Sequence, residues 1–381
     1  MNSDLDQFKP VVNTLDDEID GIADGSISLR EALFLAQPSD RISFEIAGDI
    51  RLRLGQLEIN QSISIEGPGF EELSIVAAPS SRIFMVDDQN SDTFAEFRLS
   101  DLTLKNGRLN DIEKLLNYGG AIYCRESLNC SKVHFVSNYS RSRGGAVGVE
   151  NGKAELSYCY FEGSYGRSGA GILGWNSMLL VSSSQFQNNH SDYGGAAIYT
   201  YGNDNHRTNV QNCTFSDNHC NHRTNGIITN RNTSAEYLHC TIVDHRNHGI
   251  ELLADEGKSA GVVIKNCIVT GNGTGVHDGC DLMIQPEHVD VDVISSIVGS
   301  VRGSFPRGQG NLYETDPMLG PLADNGGQTQ TYALLEGSPA IDAGAQSELK
   351  FDQRGKPYVR VADGDGDQAR VPDIGAFERQ N

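Results

Sequence analysis

The sequence predicts an all-β, right-handed parallel β-helix that is closed at its N-terminal end by a short helix. A six-residue block recurs every 25 to 32 residues, and a Gly-rich block follows each copy. A helical fold would need an apolar period of 3.6 residues, and a β-sandwich would need hairpin turns. The sequence shows neither pattern. At 381 residues the chain is long for one globular domain, but repeat proteins escape that limit because each unit contacts only its neighbours.

The first repeated block is a short apolar strand that ends in a polar corner. Its copies are DLTLKN (101–106), VHFVSN (133–138), CYFEGS (159–164), SQFQNN (184–189), CTFSDN (213–218), CTIVDH (240–245) and CIVTGN (267–272), with SIVGSV (296–301) as a further coil. The third column reads Thr103, Phe135, Phe161, Phe186, Phe215, Ile242 and Val269. The sixth column reads Asn106, Asn138, Ser164, Asn189, Asn218, His245 and Asn272. Equivalent residues should stack about 4.8 Å apart, with asparagines bonded along one corner.

The second repeated block combines a Gly-rich turn with another short strand. Its copies are GGAIY (119–123), GGAVG (144–148), GAGIL (169–173), GGAAIY (194–199), NGII (225–228), HGIEL (248–252) and TGVHD (274–278). Glycine permits positive φ, so the paired glycines are expected at the next corner of each coil.

Half of the eight cysteines share the first column of the strand block. They are Cys159, Cys213, Cys240 and Cys267. Adjacent parallel strands give poor disulfide geometry, so these cysteines are expected to pack as small apolar residues. Cys124 and Cys130 lie six apart around a turn, where a bridge remains open. No CxxC or paired Cys/His spacing indicates a metal cluster.

The chain divides into three predicted regions. Residues 1–66 form an N-terminal cap and the first coils, 67–315 form the repeated coils, and 316–381 form a C-terminal coil or cap packed on the solenoid. Within the first region, SLREALFLAQ (28–37) has apolar residues at helical spacing, and Ser28 and Glu31 have capping-box spacing. An amphipathic helix there would cover the open end of the first coil.

Both ends of the chain resemble known bacterial extracellular β-helix proteins. NTLDDEIDGIADGSISLREAL (13–33) is similar to the CSLREAI-type N-terminal motif. DPMLGPLADNGGQTQTYALLEGSPAIDAG (316–344), DQRG (352–355) and DIGAFE (373–378) resemble the choice-of-anchor Q region. The GGAI and FxxN blocks also resemble the repeats of polymorphic outer-membrane proteins. The resemblance implies a β-helical fold and an extracellular or cell-surface location, and it implies no reaction.

Charge and hydropathy exclude two classes of partner. The formal net charge is −21 and the pI is near 4.8, so the surface should repel nucleic-acid phosphates. No stretch of 18 apolar residues predicts a membrane span. The opening residues MNSDLDQFKP lack signal-peptide regions, so any secretion signal is expected to be missing from this sequence.

Tyrosine and arginine recur in register beside the Gly-rich corner. Near the fourth position before each apolar residue stand Tyr118, Arg143, Arg167, Tyr193, Arg223 and Arg246. We predict a substrate-binding surface for an acidic polysaccharide or cell-surface glycan, since Arg binds carboxylate or sulfate and flat aromatics stack on sugars. Its residues are Arg143, Arg167, Trp175, Tyr193, Tyr199 and Tyr201. The alternative is that these side chains only cover the Gly-rich backbone.

A catalytic function is the main competitor to simple binding. A polysaccharide lyase needs a base for the proton next to a uronate carboxylate and a cation to neutralise that carboxylate. The candidate catalytic residues are His222, Arg223, Arg246 and His248. A glycoside hydrolase remains open, because sequence cannot reveal a carboxylate pair formed across coils. A structural adhesin or spacer is the third alternative, and the oligomeric state stays undetermined.

The segment DGDGDQARVPD (363–373) resembles the start of a calcium loop. Asp363, Asp365 and Asp367 alternate with glycine, and Asp373 is the candidate fourth ligand for Ca²⁺. Ile374 stands where an EF-hand has its bidentate glutamate. The competing interpretation is a solvated turn.

Overall fold

The computed structural model describes residues 10–21, 25–90, 94–110, 118–203, 205–222, 225–275, 279–285 and 288–380. These residues form a right-handed parallel β-solenoid of about nine turns, which confirms the predicted fold class. The described helix spans Leu29–Leu35. Among the described residues, no helix is long and apolar enough to cross a membrane.

Three parallel sheets form the walls of the solenoid, and one antiparallel pair lies outside them. Sheet one consists of Val11–Val12, Arg41–Phe44, Gly48–Arg51, Ile63–Glu66, Leu73–Val76, Glu96–Lys105, Ser127–Val136, Lys153–Ser157, Tyr160–Glu162, Met178–Ser182, Gln185–Gln187, Arg207–Gln211, Thr214–Ser216, Ser234–Leu238, Thr241–Val243, Ala260–Lys265, Ile268–Thr270, Val289–Ile294, Ile297–Val298 and Leu312–Tyr313. Sheet two consists of Leu57–Ile59, Phe84–Val86, Ile122–Cys124, Val147–Glu150, Ile172–Trp175, Ile198–Tyr201, Gly226–Arg231, His248–Leu253, Leu282–Ile284 and Val301–Gly303. Sheet three consists of Arg108–Leu109, Tyr139–Arg143, Tyr165–Ser168, His190–Ser191 and His219–Cys220. The antiparallel pair is Leu319–Ala323 with Thr331–Leu334.

A ladder of phenylalanines fills the solenoid interior. Phe135, Phe161, Phe186 and Phe215 are fully buried, and successive ring centroids lie 4.6, 4.6 and 4.8 Å apart with nearly parallel planes. This confirms the third column of the strand block. The spacing is that of neighbouring strands, because each ring stands on the strand next to the previous one.

The first copy of the strand block was placed wrongly by sequence. Phe135 pairs with Leu104, whereas Thr103 pairs with His134, so the first copy is shifted by one residue. The shift arises because LTLKNG carries its apolar residues at alternate positions, like the other copies. In the second block, Ile250 pairs with Leu282, and residues 276–278 of the predicted TGVHD copy (274–278) lie outside the described residues.

The buried side-chain amides of the sixth-column asparagines form the predicted ladder of hydrogen bonds along one corner. The Asn189 backbone N–H donates to Asn218 Oδ1 at 2.9 Å, and the His245 N–H donates to Asn272 Oδ1 at 3.2 Å. The left-handed conformation belongs to the residue before the column, such as Asp217 with φ 52°. The asparagines therefore satisfy corner N–H groups instead of adopting positive φ themselves.

The cysteine column packs inside the solenoid as predicted. Cys159, Cys213, Cys240 and Cys267 are buried, and their thiols point at backbone carbonyl groups, as Cys213 Sγ does toward Gln211 O at 3.2 Å. All eight cysteines are free. The bridge considered for Cys124 and Cys130 is therefore wrong, since both thiols are buried separately in the interior.

Four consecutive residues of the SLREA segment make the contacts that close the N-terminal end. Ser28 caps the helix in a capping box with Glu31, and Leu29 is buried. The Arg30 Nε donates to Asp17 Oδ1 at 2.7 Å. Glu31 also accepts the Gly21 N–H at 2.9 Å. The helix therefore fastens the preceding loop onto the first coil.

The C-terminal segment 316–380 packs along the outer face of sheet one. Thr214 donates to Gln353 Oε1 at 2.6 Å, and Arg360 donates to Asn212 Oδ1 at 2.7 Å. A second apolar cluster forms beneath the segment from Val243, Ile268, Ile297, Tyr332, Leu334, Ala340, Ile374 and Phe377. The DQRG and DIGAFE motifs thus supply side chains that bind this segment to the solenoid.

Candidate functional site

Sheet three carries an outward row of rings, one from each of four successive coils. Tyr139 stacks on Tyr165 at 4.8 Å, Tyr165 meets His190 edge-on at 5.3 Å, and His190 stacks on His219 at 3.9 Å. The inward neighbours on the same strands are small, and Ser140 and Ser191 are fully buried. Strand alternation therefore projects one ring per coil outward from the solenoid.

Arginines surround this row of rings. The Arg108 guanidinium lies 4.5 Å from the Tyr139 ring centroid. The Arg167 guanidinium lies 4.8 Å from the ring of Tyr193, whose residue is half exposed. Arg141 shares the outward side of its strand with Tyr139, since the two residues stand two apart. We call this surface the Arg/Tyr corner, defined by Arg108, Tyr139, Arg141, Arg143, Tyr165, Arg167, Trp175, His190, Tyr193, Tyr201, His219 and Arg246.

Trp175 and Tyr201 extend the corner onto sheet two. Their ring centroids lie 4.3 Å apart, and the Arg143 guanidinium lies 4.7 Å from the Trp175 ring. The Arg231 guanidinium lies 5.9 Å from Tyr201 and is paired with Asp255. Of the sequence-predicted binding residues, Arg143, Arg167, Trp175, Tyr193 and Tyr201 therefore lie together at the corner.

Tyr199 is less accessible than the other predicted binding residues. Burial raises the pKa of its hydroxyl, although Arg231 acts against this shift. Nearby, Glu251 is buried and accepts the Gly226 N–H at 3.1 Å and the Thr229 hydroxyl at 3.0 Å. Tyr199 thus borders a closed polar cluster in the wall of sheet two.

The electrostatic character of the corner differs from that of the whole chain. Within the described part of the structure, Arg108, Arg141, Arg143, Arg167 and Arg246 make no ion pair with a carboxylate. Elsewhere arginines are commonly paired, as Arg98 is with Glu96 at 2.9 Å and Arg207 with Glu236 at 3.3 Å. The carboxylate of Asp192 does lie at the corner, where it accepts the Tyr165 hydroxyl at 2.6 Å.

Neighbouring side chains cover faces of some aromatic rings at the corner, which limits the stacking on sugar faces that the sequence predicts. One face of Trp175 is covered by Tyr201 and the cation of Arg143 lies over its ring. Tyr139 is likewise enclosed by Arg108 and Tyr165. Because strands stack at the spacing of van der Waals contact, adjacent rings use each other's faces and leave only edges and polar atoms to solvent.

Among the candidate catalytic residues that the structure describes, His248 is buried, whereas His222 and Arg246 are exposed. His248 is only 3% exposed, and its Nδ1 accepts the Cys280 N–H at 3.0 Å inside the solenoid. His222 is exposed, with its ring 6.2 Å from that of Tyr193. Arg246 is exposed beside His219, and Arg223 lies outside the described residues. Including His248 in the set was wrong, because its position in the strand points inward.

The imidazole of His219 lies within electrostatic range of Arg246. Burial, the neighbouring His190 and the charge of Arg246 lower the pKa of His219, in that order of effect. His219 is therefore held toward its neutral form next to a cation. The signal in the sequence was the column Tyr139, Tyr165, His190 and His219, which follows the sixth column of the strand block by one residue.

The predicted calcium loop gathers a different set of carboxylates. Oxygen atoms of Asp342, Asp363 and Asp365 lie within 4.8 Å of one another. Asp367 is not in this group, and its Oδ1 accepts the Ala369 N–H at 2.7 Å. Asp373 was wrongly placed as the fourth ligand. It is buried, accepts the N–H groups of Asp342 and Arg379, and burial raises its pKa to about 6.

A cleft on the outer face of sheet one was missed by the sequence. It has a volume of about 630 Å³ and lies where the C-terminal segment stops covering the sheet. His134, Tyr160 and Gln185 line it from neighbouring strands. The signal was the second column of the strand blocks, which is polar and faces outward. Residues 324–330 form the loop at the end of the cleft. This loop is not part of the repeat, so the spacing of the sequence does not predict its contact with the sheet.

Comparison with known proteins supports the same fold. A family model described as a right-handed beta helix region matches residues 120–285. No curated protein matches the chain. The structure is similar to pectate lyase Pel9A, with 14% identity over 97% of this chain and 96% of that one and a TM-score of 0.54. The protein is thus a right-handed parallel β-helix protein of the shape seen in Pel9A.

Two more distant solved structures have lower similarity. The PL6 family alginate lyase AlyGC is 12% identical over 92% of this chain and 58% of that chain, with a TM-score of 0.36. ORF18 of Geobacillus virus E2 is 11% identical over 80% of this chain and 60% of that chain, with a TM-score of 0.33.

Proposed function

We propose that the protein is an extracellular or cell-surface β-helix that binds an acidic polysaccharide along the Arg/Tyr corner. One observation carries the proposal. Five described arginines gather there without a carboxylate partner, on a chain whose net charge is −21. Guanidinium groups bind carboxylate and sulfate through paired hydrogen bonds, so these arginines suit an anionic sugar chain.

The mode of binding follows from the covered rings. Arg143 and Arg167 are held by the rings of Trp175 and Tyr193, which restricts their side chains before a ligand arrives. The aromatic residues therefore orient the cations, and the cations contact the ligand. Because the contributing residues come from successive coils, the surface suits an extended chain. The fold shared with a pectate lyase agrees with a polysaccharide ligand.

A lyase activity at the same corner is the second candidate. A lyase requires a neutral base and a cation that stabilises the uronate carboxylate as the neighbouring proton leaves. His219, whose pKa is lowered, and the adjacent Arg246 supply these two groups. In this candidate His219 accepts the proton next to the uronate carboxylate, and Arg246 holds that carboxylate as negative charge develops on it. The electron pair of the broken C–H bond then forms a carbon–carbon double bond, the glycosidic C–O bond at the next carbon breaks, and a proton from water neutralises the leaving oxygen.

A polysaccharide panel tests both candidates. Uronate and sulfated polysaccharides are compared with a neutral glucan, measuring retention in affinity electrophoresis and the ultraviolet absorbance of unsaturated products. Binding to the acidic chains without absorbance supports the binding function, and absorbance with uronates supports the lyase. Moderate salt should first strengthen binding by screening the remote acidic surface and then weaken the direct arginine contacts. Equal retention by all the chains, or by none of them, contradicts both candidates.

A further inference from the structure

The cleft on sheet one has a defined floor and two closed ends. The rings of His134 and Tyr160 form part of the floor, stacked at 4.5 Å and nearly parallel. Phe70 closes one end, with its ring edge-on to His134 at 6.1 Å. At the other end, the Gln330 N–H donates to Gln185 Oε1 at 2.9 Å and anchors the loop that stops the cleft. The cleft is therefore a short compartment on the face of the solenoid.

Carboxylates outnumber the basic side chains in the lining of this cleft. Among the described residues that line the cleft, the one lysine is Lys132, which lies 3.5 Å from the carboxylate of Asp101 and is balanced by it. Inside a recess with protein walls, like charges raise the local attraction for an ion of the opposite sign. The lining carboxylates are Glu71, Glu72, Asp101, Glu162 and Asp324.

The floor offers side-chain donors and acceptors that are already positioned. His134 Nε2 lies 3.3 Å from Glu162 Oε2, and the Tyr160 hydroxyl donates to Gln187 Oε1 at 2.6 Å. Burial lowers the pKa of His134, although the neighbouring Glu162 acts in the opposite direction. Burial thus favours the neutral form of the His134 ring, which leaves more of the charge of Glu162 for a ligand.

The construction of the floor excludes recognition by strand addition. His134 lies on a strand that pairs with Thr103 on one side and with Tyr160 on the other. The sheet therefore offers no free backbone edge here, and an extended peptide gains no main-chain hydrogen bonds from it. Recognition must come from side chains that meet hydroxyl or amino groups of a short ligand.

We propose that this cleft binds a short oligosaccharide of amino sugars with free, protonated amino groups. The amino groups would be held by Glu162 and the rim carboxylates, and the ring hydroxyls by the amides at the closed end. The site lies apart from the Arg/Tyr corner and selects the opposite charge, so it goes beyond the proposed function and does not depend on it.

Calorimetric titration of the full chain with a glucosamine tetramer in mildly acidic, low-salt buffer tests this assignment. The wild type should bind the tetramer, and E162Q should weaken binding at least about tenfold, the loss of one charge-assisted contact. The matched control is E155Q, because Glu155 is an exposed glutamate on an outer strand position of sheet one but does not line the cleft. Melting curves check that each variant is folded.

Three comparison ligands make the result decisive. The N-acetylated tetramer should bind at least about tenfold more weakly than the glucosamine tetramer, and a uronate tetramer should not compete. Equal binding of the acetylated tetramer, equal losses in E162Q and E155Q, or preferential binding of a lysine tetramer would overturn the proposal. Replacing Arg143 and Arg167 by alanine should leave tetramer binding unchanged, which separates this site from the corner.

Discussion

The backbone N–H of Asn218 donates to Nδ1 of His245 at 3.1 Å, so His245 takes the place of an asparagine in the corner ladder. This bond requires an unprotonated Nδ1 and places the ring proton on Nε2. In the described part of the structure, the buried Nε2 has no hydrogen-bond partner. Burial lowers the pKa of His245 from 6.5 to about 3.

His245 should therefore make the fold sensitive to acid. The unfolded chain takes up a proton at this residue near pH 6.5, whereas the folded chain resists it down to about pH 3. The stability that comes from a neutral His245 is thus present above pH 6.5 and is lost as the pH falls. The expected slope is about 1.4 kcal/mol per pH unit, measured by urea unfolding across this range.

The variant H245N tests the assignment, because asparagine occupies this column in neighbouring coils. Its free energy of unfolding should fall less steeply with acidification, and at neutral pH it should equal or exceed that of the wild type, since an unsatisfied buried donor costs about 1–3 kcal/mol. The buried His239 leaves some acid dependence in both proteins. Parallel pH curves for the two proteins would show that His245 is not the sensitive group.

The phenylalanine ladder should dominate local packing. Phe186 contacts Phe161 on one face and Phe215 on the other, so F186A removes two stacked contacts and leaves a cavity. The expected loss in the free energy of unfolding is roughly 3–5 kcal/mol. F186L, which retains much of the volume, should lose clearly less. A loss for F186A below about 1 kcal/mol would mean that the interior can collapse around the gap.

The periodic part of the fold could be predicted from sequence, and the non-periodic part could not. Phe186 and Asn218 recur in columns because each coil repeats the same contacts, so spacing alone locates them. Thr103 was assigned to the wrong column because its block can be aligned with the other copies in two registers that differ by one residue. The cleft depends on Gln330 returning to Gln185, which lies 145 residues earlier. Such a contact between a non-repeating segment and a repeat has no local signature.

The site predictions follow the same division. Arg143, Arg167 and Trp175 share register, so their clustering was visible in the sequence. The sequence did not predict that His248 faces inward, because the Gly-rich blocks differ in length. A residue at the same distance from the Gly-rich turn can therefore face inward in one coil and outward in another. His219 was overlooked because its column consists of aromatic residues of different types, namely Tyr139, Tyr165 and His190.

Calcium binding at the C-terminal loop should depend on Asp365 and Asp342. Excess calcium should then raise the melting temperature of the wild type by mass action. D365A should abolish the rise, because its carboxylate belongs to the group of three. D367A is the matched control and should retain the rise. If calcium does not change the melting temperature of the wild type, the loop is a solvated turn and not a calcium site.

Binding at the Arg/Tyr corner should strengthen as the pH falls through the histidine range. Protonation of His219 adds a positive charge beside His190 and Arg246, and a bound anion favours that protonated form. A surface contact of about 1 kcal/mol corresponds to roughly a fivefold gain in affinity. A sulfated polysaccharide is the suitable probe, because sulfate stays ionised across the titration. H219Q should flatten the dependence, whereas an unchanged pH profile would exclude His219 from the site.

The proposed function requires that the unpaired arginines of the corner bind an acidic polysaccharide. The most direct measurement is the affinity of a uronate oligosaccharide for the double variant R143A/R167A against that for R98A/R207A, whose arginines are paired with Glu96 and Glu236. The first variant should lose more than about tenfold in affinity. Its melting temperature should stay near that of the wild type, because Arg167 is exposed and the half-buried Arg143 makes no ion pair with a described carboxylate. The second variant should bind like the wild type. Equal affinities in the two double variants, or a fall in melting temperature that accompanies the loss of binding in R143A/R167A, would contradict the account.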